Sequence, residues 1–163
     1  MKVAIVTGGA GKGIGRSTAL TLSRDRFSVV INYRSSKTSA ENICSFIEKH
    51  GGRAKPIQAD IFTKEGCDTL VNETIFSFSR IDACIIGPGA DWHPEEPDKI
   101  NPKKSIGDVV HEVQPIYNLI PRLIPEMAKT GGGRIIGIAS NPELPSPSYS
   151  YNVAKNCRID ALS

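Results

Sequence analysis

Tyr151 and Lys155 stand four residues apart in the stretch SYSYNVAK. On a helix that spacing puts the phenol and the ammonium on one face. An ordinary tyrosine, with a pKa of about 10, is a poor acid–base group at neutral pH. A cation held beside it favours the phenolate and lowers that value by roughly 1–3 units. The pair then suits proton transfer to a carbonyl oxygen or from an alcohol. Tyr149 competes for this role, but the residue four beyond it is Val153. Because YxxxK is a common spacing, its context must carry the reading.

A second chemistry lies near the amino terminus. Thr7–Arg16 reads TGGAGKGIGR. Glycines allow a tight turn and let backbone approach a phosphate, and a helix opening there offers free N–H groups at its positive end. A P-loop needs GK followed by Ser or Thr, with another glycine five residues before. Here Gly13 follows Lys12 and Val6 stands where that first glycine belongs, which excludes it.

The elements that must position these residues alternate. Lys2–Thr7, Ser28–Tyr33, Ala54–Gln58, Ala83–Ile86 and Ile135–Ala139 read as strands, short, apolar and β-branched. Ile14–Arg26, Ser36–His50 and Thr63–Arg80 read as helices. The second carries Ala40, Ile43, Cys44 and Ile47 on one face. Buried strands alternating with amphipathic helices imply a parallel sheet covered on both sides. The expected fold class is α/β, a doubly wound parallel sheet (Rossmann fold) in three α/β/α layers, with strand order 3-2-1-4-5. Asp91–Lys104, with four prolines and many charges, is expected to be a loop. Val109–Lys129 is expected to be a kinked or interrupted helix, because it holds Pro115, Pro121 and Pro125.

With the turn at the first strand-to-helix junction and YxxxK beyond the last strand, the chain resembles the short-chain dehydrogenase/reductase family over its whole length. The turn is similar to TGxxxGxG: Gly9, Gly13 and Gly15 fit, while Thr7 lies one residue too far upstream. One additional residue must bulge among Gly8–Gly11. The resemblance implies that Ser140, eleven residues before Tyr151, holds a substrate oxygen beside the tyrosine. It further implies that Lys155 also holds the ribose of a nicotinamide cofactor. Gly9, Lys12, Gly13, Ile14 and Gly15 would take the pyrophosphate. Asp60 and Ile61 would take the adenine, with Asp60 as a helix cap the competing reading. Gly87 and Gly89 remain from the family's NNAG-like stretch, which reads Ile86–Gly87–Pro88–Gly89 and has lost its asparagines. The family's catalytic asparagine falls on Glu112, whose carboxylate could carry the same proton relay or disable it. Asn118 is in the wrong register.

NAD-specific folds place an acid at the end of the second strand to hold the ribose 2′-hydroxyl. This chain has Asn32–Tyr33–Arg34–Ser35–Ser36 there, with no acid. Arg34, Tyr33 and Ser35 are expected at a 2′-phosphate, with Lys12 a second basic residue, so the expected cofactor is NADP(H).

The 163 residues suffice for one domain, expected over 1–163. The net charge of +3 is scattered, which argues against nucleic acid, and no apolar run is long enough for a membrane span. Cys44, Cys67, Cys84 and Cys157 form no CxxC pair and are expected to be reduced core thiols of a cytoplasmic protein. His93 with Glu95, Glu96 and Asp98 reads as solvated loop rather than a metal site. Family members continue for about 80–100 residues beyond the YxxxK lysine, a length consistent with a full doubly wound domain. The chain is therefore expected to lack the last strands and the substrate-closing segment. The fifth strand would then have an open edge that favours a homo-oligomer.

Three readings follow. One is an NADP(H)-dependent reductase of a small carbonyl or alcohol, active if a partner completes its site. Another is a non-catalytic NADP(H)-binding protein. The third is a fragment of such a reductase. The stretch NYRSS resembles 3-oxoacyl-carrier-protein reductases, without fixing the substrate.

Overall fold

The computed structural model describes residues 1–88, 97–99 and 101–139. Five strands, β1 (Val3–Val6), β2 (Ser28–Tyr33), β3 (Arg53–Gln58), β4 (Ala83–Ile86) and β5 (Arg134–Gly137), alternate with four helices, α1 (Ile14–Arg24), α2 (Lys37–Lys49), α3 (Lys64–Phe78) and α4 (Pro102–Ala128). The sheet order is β3-β2-β1-β4-β5 and every pairing is parallel. This is the expected doubly wound α/β arrangement.

Strand side chains alternate between two cores. Ala4, Val6, Val29, Ile31, Ala83 and Ile85 pack with Ala19 of α1 and Ala40, Ile43, Cys44 and Ile47 of α2. Ile5, Val30, Ile57, Cys84 and Ile86 pack with Leu70 and Val71 of α3 and with Ile116, Leu119 and Leu123 of α4. β1, β2 and β4 are buried along their whole length. Each buried Ile or Leu contributes about 1.5–3 kcal/mol, so packing on both faces holds strands as short as four residues. β3 is an edge strand and carries Pro56, which has no amide to give a further neighbour. β5 pairs with β4, and among the described residues it forms the other edge, with Ile136 half exposed.

The chain after β4 departs from expectation in one loop boundary and in one of the two alternatives for α4. The loop expected through Lys104 ends earlier: Pro97–Lys99 is a 3₁₀ turn and α4 begins at Pro102. The Asn101 side chain accepts from the amide of Lys103 at 3.0 Å, and Pro102 occupies the first helical position, where its missing N–H costs nothing. Nor is α4 interrupted. It runs for 27 residues through all three prolines. The carbonyls those prolines leave without a helical partner belong to residues 111, 117 and 121, all exposed residues on the solvent side of the helix. The opposite face, with Glu112, Ile116, Leu119, Leu123 and Met127, is buried and repays the lost bonds.

At the end of the sheet where β1 and β4 begin, Asp82 joins the two strands. Arg80 grips its carboxylate with two hydrogen bonds, and the Val3 amide donates at 2.7 Å. Burial raises the Asp82 carboxyl, but these donors outweigh it and hold the group below its ordinary value.

Candidate functional site

The order β3-β2-β1-β4 reverses direction between β1 and β4. A parallel sheet has its ligand crevice at such a switch point, outside the carboxyl ends of the strands. A cleft of about 410 Å³ lies there. The turn after β1 contributes Gly8, Ala10 and Gly11. The end of β2 and the segment after it contribute Asn32, Tyr33, Arg34, Ser35 and Ser36. The remaining lining is Ala59–Phe62 after β3, Pro88 after β4, and His111 of α4.

The floor is fixed by Thr7, which is buried. Its hydroxyl donates to the Ile85 carbonyl and accepts from the Gly87 amide, both at 3.0 Å, tying β1 to β4. The additional residue of the turn is accommodated where the glycines are. Gly8 has φ +65°, and its carbonyl accepts from Gly11. At Gly15 a Cβ would come within 2.9 Å of the Gly8 carbonyl, so a side chain there would push α1 off the turn. α1 starts at Ile14, and the amides of Ile14, Gly15 and Arg16 have no hydrogen-bond partner among the described residues. They are open donors at the positive end of a helix.

The β2 wall is equally fixed. Asn32 Nδ2 donates to the Ala59 carbonyl at 3.0 Å, and Gln58 donates to the carbonyl of Arg34 at 3.0 Å. Arg34 itself is exposed, with its guanidinium in no ion pair among the described residues. Ser36 caps α2 without a side-chain bond to the helix, and while the Lys37 amide donates to the Ser35 carbonyl, the Thr38 and Ser39 amides are left open among the described residues.

Asp60 does not cap α3. Thr63 does, accepting from the Gly66 amide at 3.0 Å. One Asp60 oxygen accepts from the Phe62 amide at 3.0 Å in a local turn. The next residue, Ile61, has its carbonyl held by Asn118 of α4 and by the Cys67 thiol, both at 3.3 Å. Asn118 therefore fastens α4 to the cleft wall. Burial, with Asp68 and Asp60 nearby, pushes the Cys67 thiol up to about 12, and burial does the same for Cys44 and Cys84.

Of the residues expected at the site, Tyr33, Arg34, Ser35, Asp60 and Ile61 line the cleft together. Gly9, Lys12, Gly13, Ile14, Gly15 and Gly87 do not line it, although all belong to the turns that border it. Lys12 is exposed. Glu112 is fully buried on α4 and does not line the cleft. Sequence reading missed Ser36, Phe62, Pro88 and His111. Ser36 continues the NYRSS stretch and could have been included. Phe62 and His111 meet with ring centroids 4.0 Å apart, and no local pattern joins residues so distant in the chain.

The family model for short chain dehydrogenases matches residues 2–155. The chain belongs to the short chain dehydrogenase family. Among curated short chain dehydrogenase relatives, a 3-oxoacyl-(acyl-carrier-protein) reductase of a Synechocystis species is 40% identical over 88 residues, 54% of this chain and 35% of that protein. The 3-oxoacyl-(acyl-carrier-protein) reductase FabG of Staphylococcus epidermidis is 29% identical over 141 residues, 85% of this chain and 56% of that protein. A hydroxynaphthalene reductase-like protein of Metarhizium robertsii is 40% identical over 96 residues, 58% of this chain and 36% of that protein. The matched stretches thus span about a third to a half of these relatives. The crystal structure of a 3-ketoacyl-ACP reductase from Sinorhizobium meliloti superposes with a TM-score of 0.84 at 23% identity, covering 97% of this chain and 63% of that one. That likeness carries the fold.

Within the short chain dehydrogenase frame, the expected catalytic residues Ser140, Tyr151 and Lys155 lie outside the described residues, as do Tyr149, Gly89, Cys157 and the His93–Glu96 group. Among the described residues no helix is long and apolar enough to cross a membrane.

Proposed function

We propose that this chain binds NADP(H) and serves as the nucleotide-binding part of a reductase acting on a small carbonyl or alcohol. The observation that carries the cofactor assignment is the wall after β2. Arg34, Ser35 and Ser36 line the cleft, the α2 start is open, and no acid stands at the strand end where NAD-specific folds need one. The residues fit a dinucleotide: Gly8 and Gly11 let the backbone approach a pyrophosphate, α1 offers free amides, and Asp60 has a second carboxylate oxygen for an adenine amino group.

The bound nicotinamide supplies or accepts hydride. Tyr151 gives a proton to the carbonyl oxygen in reduction and takes it back in oxidation. Lys155 lowers the tyrosine pKa and holds ribose, and Ser140 orients the substrate oxygen. These roles rest on the family motif. Lys12 flanks the turn as a second cation for a phosphate, and Gly9, Gly13, Ile14, Gly15, Gly87 and Gly89 shape the turns around the dinucleotide. Buried, reduced Cys44, Cys67 and Cys84 suit a cytoplasmic protein. Ile106, Val110, Tyr117 and Ile124 are exposed at steps of four, seven and seven residues, one stripe along α4. That stripe supports a homo-oligomer.

Turnover is tested by following NADPH oxidation by the full chain against a panel of 3-oxoacyl thioesters and simple ketones. The reductase reading expects turnover that Tyr151→Phe reduces at least about a hundredfold while NADPH binding stays intact. NADPH binding without turnover on any substrate favours the second reading, a non-catalytic NADP(H)-binding protein. Burial of Glu112 at the position of the family's relay asparagine is the observation on that side.

A further inference from the structure

The turn after β1 and the start of α2 are two separate walls of the cleft, joined by one side chain. Ser39, in the first turn of α2, donates its hydroxyl to the carbonyl of Ala10 at 2.5 Å. Ala10 is 5% exposed and packs in the same core as Ala40. The Ala10–Gly11 peptide is held at both ends: its carbonyl by Ser39, its Gly11 amide by the Gly8 carbonyl at 3.3 Å. The turn has one residue more than the family pattern, and longer loops have more freedom to lose on ordering. Nothing else among the described residues donates to the Ala10 carbonyl. Arg34, Ser35 and Ser36, three to five residues before Ser39, line the opposite wall.

We infer that Ser39 is a positioning residue: it clasps the enlarged phosphate turn to α2 and so sets the spacing between the pyrophosphate donors and the 2′-phosphate wall. The inference rests on the NADP(H) reading. A ligand that spans both walls depends on the clasp. A ligand that touches only the Arg34 wall does not. NADPH belongs to the first kind and adenosine 2′-phosphate to the second.

The test is calorimetric binding of both ligands to the full chain carrying Ser39→Ala or Ser39→Thr. Alanine keeps α2 helical. One hydrogen bond lost at the turn weakens NADPH about five- to tenfold, while adenosine 2′-phosphate stays within about twofold, and threonine restores NADPH binding by supplying a hydroxyl. Unchanged NADPH affinity in Ser39→Ala overturns the clasp. So does equal weakening of both ligands, or a threonine variant that does not recover, because each signals general disturbance of the fold. A wild-type chain that binds neither NADPH nor NADH removes the cofactor reading itself, and that outcome is visible before any variant is made.

Discussion

Arg34 and Asp82 illustrate how differently two charged residues serve this molecule. Asp82 is structural. It is held below its ordinary value by Arg80 and the Val3 amide, at the end of the sheet away from the cleft. A carboxyl with a depressed folded-state pKa stabilises the fold fully above its unfolded value, here near 3.8, and the benefit disappears as pH falls through the folded value. Asp82→Asn should therefore cost about 1.5–3 kcal/mol in urea denaturation at pH 7, the range for a hydrogen-bonded charged group. The gap from wild type should close below about pH 4. A gap that persists at low pH would mean the loss comes from packing. Arg34 is exposed, lines the cleft and has no ion-pair partner among the described residues. It was legible in sequence because it follows a strand whose end lacks an acid. His111 and Phe62 were not legible, since their meeting depends on how α4 packs beside the segment after β3.

At the scale of elements, capping and helix faces decided the outcome. All five strands and the first three helices were legible, because short β-branched runs and the i, i+3, i+4, i+7 spacing report burial directly. α4 was legible only in part. The three prolines pointed to a kinked or interrupted helix, whereas exposed residues on one face and a buried face on the other let it run on without interruption. The Asn101–Pro102 pair was a start signal of the N-cap and first-position type. α3 depends on its own cap: Thr63→Ala should lower stability by about 1 kcal/mol in chemical denaturation, with the cleft unaffected. The Thr63 hydroxyl also donates to the Asp60 carbonyl at 3.0 Å, but the Thr63 amide still holds that carbonyl at 3.1 Å, so Thr63→Ala should leave nucleotide affinity within about twofold. A large loss of affinity would show the two residues to be one unit.

At the scale of the whole molecule, the sheet order brings four strand ends to one cleft, and the chemistry-bearing residues near 151–155 follow β5 in the chain. The fold was legible because strand and helix alternate without exception. The cleft wall after β2 was legible too, since its residues are local in sequence. The exposed stripe on α4 was not, because the helix was expected to be kinked or interrupted across it. If that stripe joins copies, Tyr117→Glu with Ile124→Glu should shift the full chain toward monomer in sedimentation velocity. A monomeric wild type at micromolar concentration would contradict the oligomer reading.

The central claim is that the wall after β2 selects a 2′-phosphorylated dinucleotide. Titration calorimetry of the full chain with NADPH and with NADH, alongside Arg34→Ala, tests it most directly. A charge-assisted contact of about 1.5–3 kcal/mol predicts NADPH binding roughly 10- to 150-fold tighter than NADH, with Arg34→Ala removing most of that preference and sparing NADH. Equal affinity for the two cofactors, unchanged by Arg34→Ala, would contradict it.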